Sequence, residues 1–171
     1  MTPSKYVIAI DPGTTQSGVC IVRTEDYRPL WCAKVDNEKL WENVDEQMAR
    51  LQILWAHISV VIERMQGNGY AVSSDVFITC EWIGRFAERF RQYGVLADYV
   101  RRNEEYKDLC SNLYGHNDKG VRAALVDRFA YGMPSFGKGT KKNPGWFYGF
   151  AADSWSAYAV AVTYLDREAL K

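Results

Sequence analysis

The amino-acid sequence predicts an α/β fold, with a mixed five-stranded sheet and helices on both faces, and three observations support this class. The first is an N-terminal series of three short apolar segments separated by turns. The second is the alternation of helix-like and strand-like segments along the rest of the chain. The third is that 47% of the 171 residues are hydrophobic, which is enough to bury a core. We expect a single domain over residues 1–171.

Each predicted strand has its own signal. KYVIAI is almost wholly apolar, which is typical of a central strand buried on both faces. SGVCIV and PLWCAKV follow it across polar turns and complete an antiparallel meander. ISVVIE and VLADYV are short apolar runs that predict the fourth and fifth strands.

The predicted helices rest on apolar residues that recur every three or four positions. The first helix has such a stripe from Leu40 to Trp55, and the second has one from Val76 to Phe90 that includes Cys80 and ends near Gly94. Asn117 or Asp118 caps a third helix. Ala152 to Leu165 predicts a buried last helix, preceded by a long loop from Gly132 to Gly149.

Composition narrows the function classes. The formal net charge is zero, which argues mildly against a nucleic-acid binder. Two basic regions remain open to either a nucleic-acid surface or a solvated face: Arg85, Arg89, Arg91, Arg101 and Arg102, and Lys138, Lys141 and Lys142. The four cysteines have no CxxC spacing, so no zinc site is predicted. Cys20 and Cys80 are predicted to be buried free thiols, as in a reducing cytoplasm, and neither a signal peptide nor a membrane span is expected.

Three carboxylates occupy matching places in these elements. Asp11 ends the first strand, Glu63 ends the fourth, and Asp153 opens the last helix. The carboxyl ends of parallel strands share one edge of a sheet, so these groups are expected to meet there. Carboxylates that lie so close together resist ionisation unless a cation is present. Mg²⁺ or Mn²⁺ suits such hard oxygen ligands, and a pair of ions can activate water and stabilise the leaving oxygen of a phosphodiester.

Each carboxylate also has a simpler interpretation. Asp11 could serve only to form the DPG turn, Glu63 could be the first exposed residue after its strand, and Asp153 could be a helix cap. All three would then be unrelated to one another. Their shared position at strand or helix ends favours a common site.

The order of elements is similar to that of the ribonuclease-H-like fold. Within it, the segments IAIDPGTTQSGVCIV, VVIERM and DSWSAYAVAVTYL resemble the metal-binding motifs of RuvC-like Holliday junction resolvases, particularly the phage-encoded branch. The resemblance covers most of the chain and implies that Asp11, Glu63 and Asp153 bind two Mg²⁺ or Mn²⁺ ions. The family usually has a second acidic residue three positions after the first in its last motif. Ser156 stands there, so the fourth carboxylate is missing.

The resemblance also implies roles for other residues. Lys119 falls where such resolvases carry a lysine that stabilises charge on the phosphate. Lys107 matches a second basic residue of the family, and Tyr70 could stack on a DNA base. Independently of the resemblance, Asp118 could cap a helix, or replace the missing carboxylate if the site is rearranged. A homodimer on a four-way DNA junction is implied. The apolar anchors of its interface would be Trp82, Phe86 and Phe90 in the helix after Glu63.

These features predict a metal-dependent, structure-selective DNA endonuclease, and three alternatives stay open. The missing carboxylate is compatible with a module that binds branched DNA without cutting it. A nuclease of the same fold with a broader choice of branched DNA would have the same motifs. The stretch IDPGTTQSG also resembles the phosphate loop of sugar kinases and actin-like ATPases. Those proteins need a second copy of the fold, which 171 residues cannot supply, so no nucleotide cofactor is expected.

Overall fold

Five strands lie side by side in one sheet, in the order β3-β2-β1-β4-β5, in the computed structural model of the chain. The structure describes residues 4–67, 69 and 71–171. The strands are β1 (Tyr6–Asp11), β2 (Gln16–Arg23), β3 (Pro29–Asp36), β4 (Ile58–Arg64) and β5 (Ala97–Arg101). β2 is antiparallel to β1 and β3, whereas β4 is parallel to β1 and β5. The sheet is therefore mixed, as predicted.

Helices cover both faces of this sheet. They are α1 (Leu40–Leu51), α2 (Ser74–Gln92), α3 (Arg102–Cys110), α4 (Asp118–Ala130) and α5 (Ala152–Glu168). Because side chains alternate along a strand, Val7 and Ala9 of β1 pack with α3, α4 and α5, whereas Ile8 and Ile10 pack with α1 and α2. This double burial explains why β1 is nearly all apolar. The predicted α/β class with helices on both faces is confirmed.

The last helix crosses the centre of one face. Its buried residues run from Ser154 to Leu165, so α5 is enclosed almost all round. α5 packs on β1 and β2, the central part of the sheet. This position fixes the first turn of α5 relative to the carboxyl end of β1. None of the helices in the described ranges is long and apolar enough to cross a membrane.

The cysteine prediction is wrong at two positions. Cys20 is buried as expected, but it forms a disulfide with Cys32 instead of remaining a free thiol. The two cysteines are direct partners in the antiparallel β2–β3 register, which brings their side chains together. Cys80 is a free thiol but is exposed. It lies one position away from Thr79, which faces the sheet.

The buried stripe of α2 also changes the expected dimer surface. Phe86 and Phe90 are packed inside the core against the sheet, 1% and 0% exposed, so they cannot serve as anchors for a second subunit. The apolar side chains that α2 exposes are Phe77 and Ile78. Trp82 lies at the border of the two faces and is half-buried.

The segment between α4 and α5, residues 131–151, is named here the α4–α5 loop. It is long, as predicted, but it has its own structure. It contains a turn at Pro134–Gly137 and a bridge between Gly139 and Pro144. Phe147 is fully buried in the core beneath α5, so the loop is anchored to the core at this residue.

Candidate active site

The carboxyl ends of β1, β4 and β5 form one edge of the sheet, because these strands are parallel. Asp11 is the last residue of β1, and Glu63 is next to last in β4. Arg102 begins α3 directly after β5. The edge therefore receives two carboxylates and one guanidinium from neighbouring strands. Ligands of α/β sheets gather at such edges.

Asp153 reaches the same edge from α5, and Gly18 makes this possible. Gly18 is the β2 partner of Asp11, and a Cβ there would collide with the backbone carbonyl oxygen of Asp153. Glycine thus lets the first turn of α5 approach the sheet beside Asp11. The helix cap is Ala151, so Asp153 does not cap the helix. Its Oδ2 instead lies 3.1 Å from Nζ of Lys34 in β3.

Arg102 joins the carboxylates into one cluster. Its Nε donates a hydrogen bond to Oε1 of Glu63 at 3.0 Å, and its Nη2 donates to Oδ1 of Asp11 at 3.3 Å. Nη2 also lies 2.9 Å from Oε2 of Glu63, but without the direction of a hydrogen bond. Its Nη1 is 3.6 Å from Oδ1 of Asp118, whose side chain is 78% exposed. Sequence reasoning placed Arg102 only in a general basic region and missed this role.

Burial makes the two strand-end carboxylates costly to ionise. Burial, together with the charges of Asp11 and Glu105, raises the pKa of Glu63 to about 9 against the opposing effect of Arg102. Burial also raises the pKa of Asp11, although Glu63, Arg102 and Ser156 each lower it. Contact between the two carboxyl groups raises one pKa and lowers the other, as expected for one shared proton. Glu63 is 6% exposed, so it is not simply the first exposed residue after a strand.

Glu105 is a further buried acid that sequence reasoning missed. It is 0% exposed, and neither carboxylate oxygen has a hydrogen-bond partner within the described residues. Burial raises its pKa to about 8, opposed by Arg102 and assisted by Asp11. It follows Arg102 by one turn of α3, which turns it toward the sheet. The only signal in the sequence was an acid three positions after a basic residue, which is too common to be informative.

Three solved structures share this architecture over most of the chain. Thermus thermophilus RuvC in complex with Holliday junction substrate superposes with a TM-score of 0.67 at 15% identity, over 96% of this chain and 95% of that one. A second T. thermophilus RuvC structure gives a TM-score of 0.68 at 17% identity, over 96% of each chain. This chain has a RuvC-like resolvase fold. The yeast mitochondrial Holliday junction resolvase Ydc2 gives 0.58 at 11% identity, over 98% of this chain and 80% of that one.

These similarities are visible only in three dimensions. No family model matches the sequence, and no curated protein matches it. At such low identity the solved structures establish the fold alone.

Two clefts open on either side of Arg102 in this RuvC-like fold. The carboxylate cleft has a volume of about 480 Å³ and includes Asp11 and Glu63. The lysine cleft has a volume of about 290 Å³, and its polar lining is Asp118, Lys119, Arg122, Asp153 and Ser156. Arg102 lines both. The structure thus brings Lys119 and Ser156, predicted from sequence, to the same place as Asp153.

The remaining candidates lie elsewhere. Lys107 is exposed on α3 and lines neither cleft. Tyr70 lies outside the described residues. Asp118 is within reach of Arg102 but is mostly exposed, and its Oδ1 accepts a hydrogen bond from Tyr106 at 3.1 Å.

The DPG turn after Asp11 is held by internal hydrogen bonds. The amide of Gly13 donates to Oγ of Ser17 at 3.2 Å, and the Gly13 carbonyl accepts from Nδ2 of Asn37 at 2.9 Å. Ser17 also donates to Oδ1 of Asn37 at 2.6 Å, and both residues are buried. The Gly13 amide, which a phosphate loop would direct at a nucleotide, is therefore already used to close the turn.

The charge balance at this edge fits a cation. Among the described residues, no three His, Cys, Asp or Glu side chains are arranged so that they could bind one metal ion. Arg102 provides the positive charge between Asp11 and Glu63 instead. The donors are hard oxygens, and Oε2 of Glu63 is buried with no hydrogen-bond donor among the residues that the structure describes. The donor set therefore suits Mg²⁺ or Mn²⁺, provided that Arg102 moves away from the carboxylates.

Proposed function

We propose that this chain, as one domain over residues 1–171, is a divalent-cation-dependent endonuclease that cuts four-way DNA junctions. The observation that carries the proposal is the contact between the carboxyl groups of Asp11 and Glu63 at one sheet edge, with Asp153 near enough for its charge to raise the pKa of Asp11. Buried carboxyl groups in contact destabilise a fold. Such groups are found most often at functional sites, where the chemistry requires them. The RuvC-like fold supports a junction as substrate, since a T. thermophilus RuvC structure contains one.

Asp11, Glu63 and Asp153 would hold Mg²⁺ or Mn²⁺, most simply as two ions. Bound there, the cation supplies positive charge that polarises the scissile phosphate and lowers the pKa of water. Arg102 is the residue that has to give way, and its side chain is 34% exposed and borders both clefts. Lys119 is exposed at the rim of the lysine cleft, where its ammonium can offset the charge of a phosphate. Ser156 lies close enough to Asp11 to lower its pKa, so it can orient that carboxylate.

The homodimer is part of the proposal, with a revised interface. Two symmetric cuts require two sites, which one chain with one carboxylate cluster does not provide. Phe77 and Ile78 of α2 are 61% and 40% exposed, and they replace Phe86 and Phe90 as candidate contacts. Sedimentation equilibrium of the wild type and of Phe77→Ser tests this. A wild-type monomer at micromolar concentration would contradict the two-cut scheme.

The decisive experiment compares two Asp→Asn substitutions. Asp11→Asn removes a buried carboxylate of the cluster, and we expect junction cleavage in Mg²⁺ to fall by at least about 10³-fold. Asp118→Asn removes an exposed carboxylate that contacts the same arginine, and we expect nearly wild-type cleavage. Junction binding measured in EDTA should be unchanged by either substitution. Cleavage by Asp11→Asn at the wild-type rate would overturn the assignment of the site.

The substrates should include a four-way junction, a three-way junction, a flap, a linear duplex and a single strand. Paired nicks confined to the four-way junction are expected. Equal cutting of the other branched forms would instead indicate a broader branched-DNA nuclease with the same site.

A second candidate function is junction binding without cutting. Two observations favour it: Ser156 brings no charge to the cluster, and Arg102 already neutralises Asp11 and Glu63. A wild type that binds the junction but does not cut it would support this function. Ser156→Asp is then the test, because a gain of Mg²⁺-dependent cleavage would show that the site lacks only a ligand.

A further inference from the structure

The α4–α5 loop is held in a fixed position around its turn at Pro134–Gly137. Gly137 is buried with φ +76°, and a Cβ there would collide with the side chain of Ala130. The amide of Phe147 donates to the Gly137 carbonyl at 3.0 Å, and that of Gly145 donates to the Lys138 carbonyl at 2.9 Å. The ring of Phe147 is fully buried. The residues just before Gly137 are therefore presented from a rigid base.

On this base, Phe136 faces solvent in an unfavourable conformation. Its side chain is 63% exposed. Ser135 and Phe136 both have left-handed backbone angles, with φ 55° and 56°. Residues with a Cβ rarely adopt this region, and two in succession are rarer still. Such conformations concentrate at binding sites, where the surrounding structure imposes them.

Arg122 lies between Phe136 and the candidate active site. Its Cζ is 4.8 Å from the ring centroid of Phe136 and 4.8 Å from that of Trp155. Its Nε is buried and has no hydrogen-bond partner among the described residues. Arg122 and Trp155 both line the lysine cleft together with Lys119. A guanidinium stacked on two rings keeps its edge free for an anion.

We propose that Phe136 and Arg122 form a platform for one nucleotide of the DNA strand next to the cleaved phosphate. The base stacks on the exposed face of Phe136, and Arg122 binds the adjoining phosphate with the edge of its guanidinium. This inference rests on the proposed function. The nearby charges favour a nucleic acid as the occupant, because Lys138, Lys141 and Lys142 lie on the same loop and Lys119 lies in the cleft.

The test uses four-way junctions that carry one 2-aminopurine at each position near the cut. In EDTA, wild-type protein should quench the fluorescence at one such position, because stacking on an aromatic ring quenches this base. Phe136→Ala should abolish that quenching and weaken junction binding about tenfold, in the range found for loss of one stacked base. Phe136→Trp should keep both properties. Tyr131→Ala is the matched control, since Tyr131 is an 81% exposed aromatic residue of the same loop.

Phe136→Asn tests whether the loss of quenching in Phe136→Ala comes from misfolding. Asparagine tolerates left-handed angles, so this variant retains the fold but lacks the ring. It should behave as Phe136→Ala in quenching and binding while keeping the wild-type melting temperature. Wild-type quenching in both variants would overturn the platform and leave the proposed nuclease intact. A wild type that neither binds nor cuts the junction would overturn both.

Discussion

Arg102 and Arg122 both border the lysine cleft, yet their surroundings are opposite. Arg102 pairs with carboxylates of Asp11, Glu63 and Asp118, so its charge is neutralised within the protein. Arg122 stacks between two aromatic rings, and its buried Nε has no hydrogen-bond partner in the described part of the chain. The guanidinium of Arg102 occupies the place proposed for a metal ion among the acids. The guanidinium of Arg122 is the one proposed to bind an anion.

This difference divides the site into two halves. The half around Asp11 and Glu63 has an excess of buried acid and gains stability from any cation. The half around Lys119 and Arg122, named here the basic half, offers these two cations to a phosphate, although Asp118 and Asp153 line the same cleft. A phosphodiester bound across the boundary would lie with its backbone on the basic half and one phosphate against the acidic half. The proposed metal-dependent cleavage of a DNA strand requires this juxtaposition.

Replacing Arg102 is expected to have the largest effect on stability of the substitutions that separate the two arginines. Arg102→Met leaves the buried carboxylates without their counter-charge, so we expect the metal-free protein to lose about 3 kcal/mol of unfolding free energy. Mg²⁺ should restore part of it, because the cation no longer competes with the guanidinium. Urea unfolding at pH 7, with and without Mg²⁺, measures both effects.

Arg167→Met is the control for this experiment. Arg167 is also 34% exposed and pairs with Glu104 at 3.0 Å and Asp108 at 2.7 Å. Its partners are accessible to water, so we expect a loss of at most about 1 kcal/mol and no response to Mg²⁺. If Mg²⁺ stabilised the wild type as much as Arg102→Met, Arg102 would not occupy the place of the cation.

The sequence predicted the carboxylates of this site but missed the arginine between them. Asp11 and Glu63 could be found because each ends an apolar strand, where a buried acid is unusual. Arg102 follows β5 at the same edge, but its segment has no apolar period, so the sequence leaves residues 103–116 ambiguous where the structure has α3. The parallel pairing of β5 with β4 is what places Arg102 beside Glu63. Strand order is a long-range property that local patterns do not contain.

The same limit explains the errors on α2 and β2. The spacing of apolar residues predicted the helix, but it did not show which of the adjacent apolar positions turn inward. Phe86 and Phe90 face the sheet, whereas Phe77 and Cys80 are exposed. The disulfide of Cys20 and Cys32 likewise depends on the register of β2 and β3. Each error concerns a partner that only the packed structure specifies.

We expect the buried acids around Asp11 and Glu63 to make the stability of the fold depend on pH, an effect not expected from Lys119 and Arg122. Glu105 has a pKa of about 8 in the fold and 4.5 when unfolded, so only the folded state holds its proton between these values. Its contribution to stability is complete below pH 4.5 and is lost as the pH rises toward 8. Glu63 acts in the same direction. Metal-free wild type should therefore become less stable from pH 5 to pH 8.

Glu105→Gln should flatten this dependence by up to about 1.4 kcal/mol per pH unit, since one titrating proton is removed. Urea unfolding at several pH values measures the slope. Glu104→Gln changes the neighbouring acid, whose pKa is lowered, so it can shift the stability but not the slope above pH 5. An unchanged slope in Glu105→Gln would mean that Glu105 is ionised in the fold at neutral pH.

The smallest expected effect distinguishes the free arginine from a merely exposed cation. If Arg122 binds one phosphate, Arg122→Met should reduce the slope of log K against log salt concentration for junction binding by about 0.9. Lys107→Met removes a charge that lines neither cleft, and its slope should equal that of the wild type. Fluorescence anisotropy in EDTA, at salt concentrations from roughly 50 to 300 mM, measures these slopes. Equal slopes in the wild type and Arg122→Met would place the phosphate elsewhere, and a reduced slope in Lys107→Met would extend the basic half along α3.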